Sequence, residues 1–365
     1  MRVGLLCPDL EGKHGWARYA VNVIQALQQQ GVEVVPITTV HSNGGDFPDA
    51  PRLLPDVLPQ VRHLQLRLLQ AIPALRYALR NCDVVHTAVE TFAPLAYVVA
   101  GKRPLIVTGH GTYVNLPRMR SGLVGRLYAH AYLSGRMVCV SHYTESIAKS
   151  VLPQLRTHVI PNAVDAKHFL PNHSIQKTGR LVVSSGGVKA RKGTLELVQA
   201  IAVVREQMPD VRCVIVGRVP ENDYGQQVRN QIDRLNLQNT VQLTGFISEE
   251  DLLDYYARAD VFVLPSLNQG YHFEGFGLVQ LEASAAAAPV IGTRGCGVEE
   301  TVDDGVTGLL LDQAHLAKQL PDAILRLLGD KSLAQQMGNA GTLKARHTTW
   351  DDVARQLIEV YELPR

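Results

Sequence analysis

Residues 170–184 read Leu170-Pro171-Asn172-His173-Ser174-Ile175-Gln176-Lys177-Thr178-Gly179-Arg180-Leu181-Val182-Val183-Ser184. The first ten are mostly polar, without period and closed by glycine, which is a linker composition; the apolar run after them starts a strand. That strand restarts a grammar already used once. Before it, strand-like runs at Val3–Cys7, Val32–Ile37, Asp83–His86, Pro104–Thr108, Met137–Val140 and Thr157–Ile160 alternate with helical patterns such as Gly15–Gln30. After it, Arg180–Ser184, Val211–Val216, Val241–Thr244, Val261–Leu264, Val290–Ile291 and Gly308–Leu311 repeat the pattern. Such alternation means parallel sheets covered by helices on both faces. The expectation is an α/β chain of two doubly wound domains facing a central cleft, since ligands in such sheets bind beyond the strand C-termini. The first domain would cover residues 1–172, a hinge linker 173–179 and the second domain 180–347. Residues 348–365 would form a helix that returns to the first domain, with Trp350, Val353, Leu357 and Val360 on one face.

Composition agrees and excludes several classes. A length of 365 residues fits two domains, and 46% hydrophobic with 19% charged residues is ordinary for a folded globular chain. A net charge of +2 argues against a dedicated nucleic-acid binder. Five scattered cysteines (Cys7, Cys82, Cys139, Cys213, Cys296) show neither a CxxC pair nor zinc spacing, so they read as buried reduced thiols of a cytoplasmic protein. No apolar run reaches the roughly twenty residues needed to span a bilayer, and the N-terminus reads as a first strand rather than a signal peptide.

The charge is uneven. Residues 1–170 carry 17 Lys and Arg against 10 Asp and Glu, whereas residues 171–365 carry 19 against 24. A basic first domain points to an anionic partner. Two segments concentrate it. Across Val61–Arg80, Val61, Leu64, Leu68, Ile72, Leu75 and Leu79 share a helical face flanked by Arg62, Arg67, Arg76 and Arg80, with Pro73 expected to kink or split the helix. Arg118, Arg120, Arg126 and Arg136 surround Leu123–Leu133. These segments read either as a solvated basic face over a packed core or as a contact with an anionic membrane surface.

Chemistry concentrates in Glu274-Gly275-Phe276-Gly277-Leu278-Val279-Gln280-Leu281-Glu282, which follows a strand and opens a helix. Glycines let the backbone approach a ligand, and amides at a helix start attract anions. Glu274, ahead of the helix, can accept hydrogen bonds from sugar hydroxyls. Glu282, about two turns on, can face the same ligand or sit as a surface acid.

The Glu-x7-Glu run resembles the signature of the retaining glycosyltransferases of the GT-B fold, specifically family 4. The resemblance extends over nearly the whole chain. It includes Ile160-Pro161-Asn162-Ala163-Val164-Asp165, Thr244-Gly245-Phe246-Ile247 with Leu252–Tyr256 and Ala259-Asp260-Val261, and Asp304-Gly305-Val306-Thr307-Gly308-Leu309-Leu310. It implies two Rossmann-like domains and a donor site in the second. Glu274 would bind donor-sugar hydroxyls, the amides of Gly275, Phe276, Gly277 and Leu278 the sugar and diphosphate, and Glu282 the ribose. Lys192 would neutralise the diphosphate, with Gly186 and Arg191 beside it, Ile247 against the base, and Gly217 and Arg218 bordering the pocket. In the first domain Gly12, His14 and Gly15 belong to the loop Glu11–Trp16, which resembles the family's glycine loop near the diphosphate and acceptor. His110, in Thr108-Gly109-His110-Gly111-Thr112, resembles its cleft histidine. The catalytic set so implied is Glu274, Lys192 and His110.

Two departures stand out. Gly186-Gly187 replaces the family's Gly-Arg, leaving Lys189 or Arg191 to supply a second cation, and Asn268–Phe273 lengthens the loop before Glu274, where Tyr271 and His272 can reshape or merely cover the sugar pocket. The resemblance implies transfer of a hexose from a UDP- or GDP-sugar to a hydroxyl acceptor (a glycan, lipid or small molecule) by front-face substitution with retention. No DxD-like metal pair appears in the cleft motifs, so no metal and no cofactor beyond the donor substrate is expected. A nucleotide-sugar epimerase of the same fold and a silent binding subunit are the rival readings.

Overall fold

A computed structural model of the chain describes residues 1–12, 15–56, 64–170 and 177–364. It divides into two compact units, Met1–Asn162 with Trp350–Arg365, and Ala163–Thr349. The first unit contains β1 (Arg2–Leu6), α1 (Gly15–Gln29), β2 (Glu33–Thr39), β3 (Arg52–Leu54), α2 (Leu64–Ala78), β4 (Val84–Thr87), α3 (Ala93–Ala100) and β5 (Leu105–Gly109). It continues with α4 (Leu116–Met119), α5 (Gly122–Ser134), β6 (Arg136–Cys139), α6 (His142–Val151) and β7 (Thr157–Val159). Its parallel sheet runs in the order β3-β2-β1-β4-β5-β6-β7.

The second unit contains β8 (Leu181–Ser185), α7 (Thr194–Gln207), β9 (Arg212–Val216), α8 (Asp223–Arg234), β10 (Val241–Gly245) and α9 (Glu249–Arg258). Then come β11 (Val261–Val263), α10 (Leu278–Ala285), β12 (Val290–Thr293), β13 (Gly308–Leu311), α11 (Leu316–Gly329) and α12 (Lys331–His347). Its sheet, also parallel, runs β10-β9-β8-β11-β12-β13. In each sheet the winding reverses beside the first strand, at β1/β4 and at β8/β11, and these are the switch points where ligands lodge in doubly wound folds.

The strands form where the sequence is apolar on both faces. Val3, Leu5 and Leu6, and Val182 and Val183, are fully buried. Helices start where a short polar side chain caps them: Ser141, Asn222 and Ser248 accept the amides of Thr144, Gly225 and Asp251 at 2.9, 3.0 and 3.0 Å.

Composition places the domain boundary at 173–179 and the return at 348, whereas the chain changes unit at Asn162/Ala163 and again at Thr349/Trp350. Ala163 and Val164 are already buried, and the Phe169 ring meets Tyr256 edge-on at 5.9 Å, so hydrophobic anchoring begins before the polar run. Residues 171–176 of that run, which include part of the expected hinge linker, lie outside the described residues.

The strand β3 escapes the sequence reading because Arg52–Leu54 opens on an exposed arginine between Pro51 and Pro55. Helix α2 continues past Pro73 instead of splitting there, since Leu68, Leu75 and Leu79 bury one continuous face that outweighs one lost backbone bond. Val61 and Arg62 of that segment lie outside the described residues. Arg136 does not join the basic face; it is 8% exposed and donates to the carbonyl of Pro364. All five cysteines are buried and free.

The final helix, α13 (Trp350–Glu362), packs on α1 through Val353, Ala354, Leu357, Val360 and Tyr361. It also closes a buried polar chain. The Tyr361 hydroxyl meets His86 Nδ1 at 2.7 Å, His86 Nε2 meets Thr108 Oγ1 at 2.7 Å, and Tyr19 meets that oxygen at 3.0 Å. Burial, helped by nearby His110, holds the His86 imidazole down to about 3, so the chain is neutral. Tyr361→Phe strands a buried ring nitrogen and is expected to cost about 1–3 kcal/mol, read as a lower urea midpoint; an unchanged midpoint would show the contact to be idle.

Candidate functional site

Beside the switch point of the second unit, the ends of β8, β9 and β10 press together. Gly187 N–H donates to the Val216 carbonyl at 3.0 Å, Val188 N–H to Arg218 at 2.9 Å, and Gly217 N–H to Gly245 at 3.0 Å. Beyond them a short helical turn, Ala190–Lys192, leads into α7 and carries two of the assigned cations. Arg191 Nη1 lies 2.6 Å and Lys192 Nζ 3.6 Å from Glu274 Oε2. Lys192 is only 7% exposed. A Cβ on Gly186 would fall 2.5 Å from Lys192 Nζ, so the bare glycine makes room for the ammonium.

Burial alone would raise the Glu274 carboxyl, but Arg191 and then Lys192 outweigh it and hold the group down to about 2. It is an anion throughout the physiological range, suited to accepting hydrogen bonds and unable to donate a proton. Burial lowers the Lys192 ammonium, and Glu274 opposes that shift.

The turn that presents Glu274 is pinned by Gly297 N–H, which donates to the Glu274 carbonyl at 2.8 Å. Gly275, Phe276 and Gly277 are buried and Leu278 is half-buried. Gly277 caps α10 in the left-handed region at φ 85°, aiming the first amides of the helix out of the turn. Glu282 is 2% exposed. Its Oε2 accepts the Tyr256 hydroxyl at 2.7 Å, and Ser185 Oγ bonds Tyr256 in turn at 2.8 Å. The field of Glu282 also reaches Lys192.

The structure therefore brings Glu274, Glu282, Arg191, Lys192, Gly186 and the start of α10 together. Gly217 and Arg218 border the same strand ends, with Arg218 exposed. Ile247 is half-buried beyond β10, while its neighbour Phe246 is 81% exposed. That aromatic, directly after a strand-end glycine, offers a flat face and was legible only as part of a motif. Tyr256, named in the sequence only within the Leu252–Tyr256 stretch of the motif, is fully buried. The Asn268–Phe273 insertion closes on itself, Gln269 and His272 exchanging backbone bonds of 2.8 and 2.9 Å with Tyr271 and His272 exposed at its tip.

The remaining assigned residues lie in the first unit. Gly12 follows β1, Gly15 opens α1, and His14 lies outside the described residues. His110 follows β5 at the switch-point side of the sheet. Its Nε2 lies 2.7 Å from the Ala88 carbonyl and its ring stands edge-on to Tyr19 at 4.7 Å. A carbonyl only accepts, so Nε2 carries the proton and Nδ1 is the accepting nitrogen. Burial pushes this imidazole down to about 4. The sequence reading missed Glu90, whose Oε1 accepts the His110 amide at 2.7 Å. Burial raises its carboxyl to about 7 against backbone hydrogen bonds that lower it.

Among the described residues no group of three His, Cys, Asp or Glu side chains could hold a metal ion, and no helix is long and apolar enough to cross a membrane.

Residues 165–344 match the family model Glycosyl transferases group 1 and residues 14–168 match Glycosyltransferase Family 4. The chain belongs to this glycosyltransferase family. It is 32% identical to the GDP-mannose-dependent alpha-(1-6)-phosphatidylinositol monomannoside mannosyltransferase of Mycolicibacterium smegmatis, over 69% of this chain and 67% of that enzyme. It is 28% identical to the D-inositol 3-phosphate glycosyltransferase of an Arthrobacter species, over 94% of this chain and 88% of that one. The sucrose-phosphate synthase structure from Thermosynechococcus elongatus superposes with a TM-score of 0.79 at 24% identity, covering 99% of this chain and 98% of that one, and so shares the GT-B fold.

The raised Glu90 carboxyl has a signed consequence. The unfolded chain ionises this group near the ordinary carboxyl value of 4.5 and the folded chain near 7, so its share of stability is present below pH 4.5 and lost as pH rises through 7. Glu90→Gln does not titrate, so its thermal midpoint should rise relative to wild type by up to the equivalent of about 3 kcal/mol between pH 4.5 and 8. A constant difference across that range would mean Glu90 ionises normally.

Proposed function

We propose that the protein is a retaining hexosyltransferase that moves a hexose from a nucleoside diphosphate sugar, GDP- or UDP-linked, to a hydroxyl acceptor. The observation that carries this reading is the buried Lys192 ammonium beside Glu274, with Arg191 on the same carboxylate oxygen, at the strand ends and beside the start of α10. An anion-accepting pair of cations next to a fixed carboxylate suits a ligand that has a diphosphate at one end and hydroxyls at the other. Arg191 supplies the second diphosphate cation that Gly187 does not.

We infer the front-face substitution that the family resemblance implies. The acceptor oxygen bonds the anomeric carbon on the face from which the diphosphate departs, the carbon–oxygen bond to phosphate breaks, and the acceptor proton passes to the departing phosphate oxygen. The products are a glycoside and a nucleoside diphosphate. Lys192, Arg191 and the first amides of α10 stabilise the charge that grows on the leaving group, a preorganised contribution of about 3–4 kcal/mol per donor by analogy with oxyanion sites. Glu274 accepts sugar hydroxyls and Glu282 the ribose hydroxyls, while Gly12, Gly15 and His110 serve the acceptor side. His110 Nδ1, neutral near pH 7, accepts a hydrogen bond from a hydroxyl. The GDP-mannose dependence and inositol-type acceptors named for the relatives support a GDP-sugar and a polyol or lipid-linked polyol acceptor.

Glu274→Gln and Lys192→Ala should each lower kcat at least about a hundredfold with an unchanged far-UV circular dichroism spectrum. The assay is nucleoside diphosphate release from a panel of GDP- and UDP-sugars. Wild-type turnover in either variant would remove that residue from the mechanism, and conversion of donor without acceptor or hydrolysis would favour an epimerase.

The acceptor side also fits an anionic membrane surface at its cytoplasmic face. Helices α2, α3 and α5 pack in a row, and they expose Leu69, Tyr77, Tyr97, Leu123 and Leu127 beside Arg67, Arg76, Arg80 and Arg126. Apolar side chains at 60–72% exposure (Leu69, Tyr77, Leu123) set among arginines match an interfacial contact better than a merely solvated face. Five buried free thiols suit the reducing side of a membrane. Flotation with phosphatidylglycerol liposomes should carry the protein upward at low salt, and Leu123→Glu should abolish this; equal recovery with neutral liposomes would sink the surface assignment.

A further inference from the structure

Among the described residues of the first unit, Glu90 is the one fully buried acid. It starts the short turn Glu90–Phe92 directly after β4, on the switch-point side of the sheet. Its Oε1 takes the His110 amide at 2.7 Å, and the Gly111 amide reaches the same carboxyl. Two residues earlier, the Ala88 carbonyl takes the His110 ring through Nε2 at 2.7 Å. One segment of three residues thus grips His110 twice, by backbone and by ring, while Tyr19 stands edge-on at 4.7 Å and limits rotation of the imidazole. The other carboxyl oxygen, Oε2, is buried and has no partner among the described residues. A surface acid serving only to cap a turn would not accept that cost of burial.

We propose that Glu90 is a positioning residue for sugar transfer: its carboxyl clamps the His110–Gly111 backbone and so fixes His110 as the Nε2–H tautomer, with Nδ1 as the nitrogen that meets a substrate hydroxyl. This rests on His110 serving the acceptor side, as assigned above. The groups that face Glu90 are His110, Tyr128 and Tyr132 of α5, and Cys139 of β6. None is a cation. Burial raises the tyrosines and the cysteine and lowers His110, so all are neutral near pH 7. The clamp is therefore sensitive to its own proton: when Glu90 ionises, its bonds to the two amides become charge-assisted and tighten. The rate should rise with pH through about 7, the value to which burial brings the carboxyl.

The test compares Glu90→Ala, Glu90→Gln, His110→Ala and the Glu90→Ala/His110→Ala double variant. It measures nucleoside diphosphate release from whichever of GDP-mannose and UDP-glucose the wild type turns over. Glu90→Ala should lower kcat about tenfold or more with donor KM within about twofold, because misorienting a reacting group costs rate rather than binding. Glu90→Gln keeps an accepting oxygen, so it should restore most of that loss yet abolish the rise between pH 6 and 8. In the double variant the Glu90 change should add nothing to His110→Ala, as expected of a residue acting through another.

The failures separate. Wild-type kcat in His110→Ala overturns the reading of His110 itself. A disabled His110→Ala with wild-type kcat in Glu90→Ala, multiplicative losses in the double variant, or an unaltered pH limb in Glu90→Gln overturns the clamp alone. Histidine 15N spectra read the ring without substrate. The Nε2–H signal that His110→Ala removes should persist in Glu90→Gln and be lost or mixed in Glu90→Ala, and its full persistence in Glu90→Ala would likewise overturn the proposal. If Glu90→Ala does not fold, the pH profile of Glu90→Gln decides.

Discussion

An ammonium group with 7% exposure set 3.6 Å from a largely buried carboxylate shapes the second unit. Withdrawing two such ions from water costs several kcal/mol each, and their attraction offsets that only when the geometry is close and further hydrogen bonds are made. Arg191 adds a second cation to the same oxygen, and the balance leaves Glu274 strongly anionic. Much of the local backbone follows from accommodating this cluster. Gly186 yields space to the ammonium, and the left-handed Gly277 turns the chain so that α10 begins where the charges converge. Two cations gathered on one oxygen of Glu274 suit an anionic ligand, and that placement is the basis of the catalytic reading.

The first unit handles its buried polar groups by the opposite rule. Tyr361, His86, Thr108 and Tyr19 form a chain of neutral hydrogen bonds that ties the last helix, two central strands and the first helix together. His86 and His110 are kept neutral by burial, and Glu90 is shifted toward neutrality by the same cause. Charge is thus concentrated in one unit and suppressed at the equivalent edge of the other.

Legibility followed length scale. Apolar runs flanked by helices were readable because strands buried on both faces leave little room for polar residues, and twelve of the thirteen strands fall in such runs. The short β3 opens on an exposed arginine and lies between Pro51 and Pro55, which mask it as a turn. Polarity suggested the boundary at 173–179, yet Ala163, Val164 and Phe169 anchor the chain to the second unit first. Pro73 shows the same limit, since local propensity argues for a break and the packing of Leu68, Leu75 and Leu79 overrides it.

Within the site, Glu274, Glu282 and Lys192 could be singled out because their spacing along the chain carries a motif whose meaning is local: a turn, a helix start, two acids a few turns apart. That Arg191 donates to Glu274 Oε2, that Tyr256 bridges Glu282 to Ser185, and that Glu90 holds His110 could not be read from order in the chain. Those partners are 83, 26, 71 and 20 residues apart, and only the folding of parallel strands into sheets brings them within hydrogen-bond reach. Periodicity and motif spacing are properties of a chain and survive in one dimension. Burial, and with it the protonation state of each acid and histidine, belongs to three-dimensional packing alone.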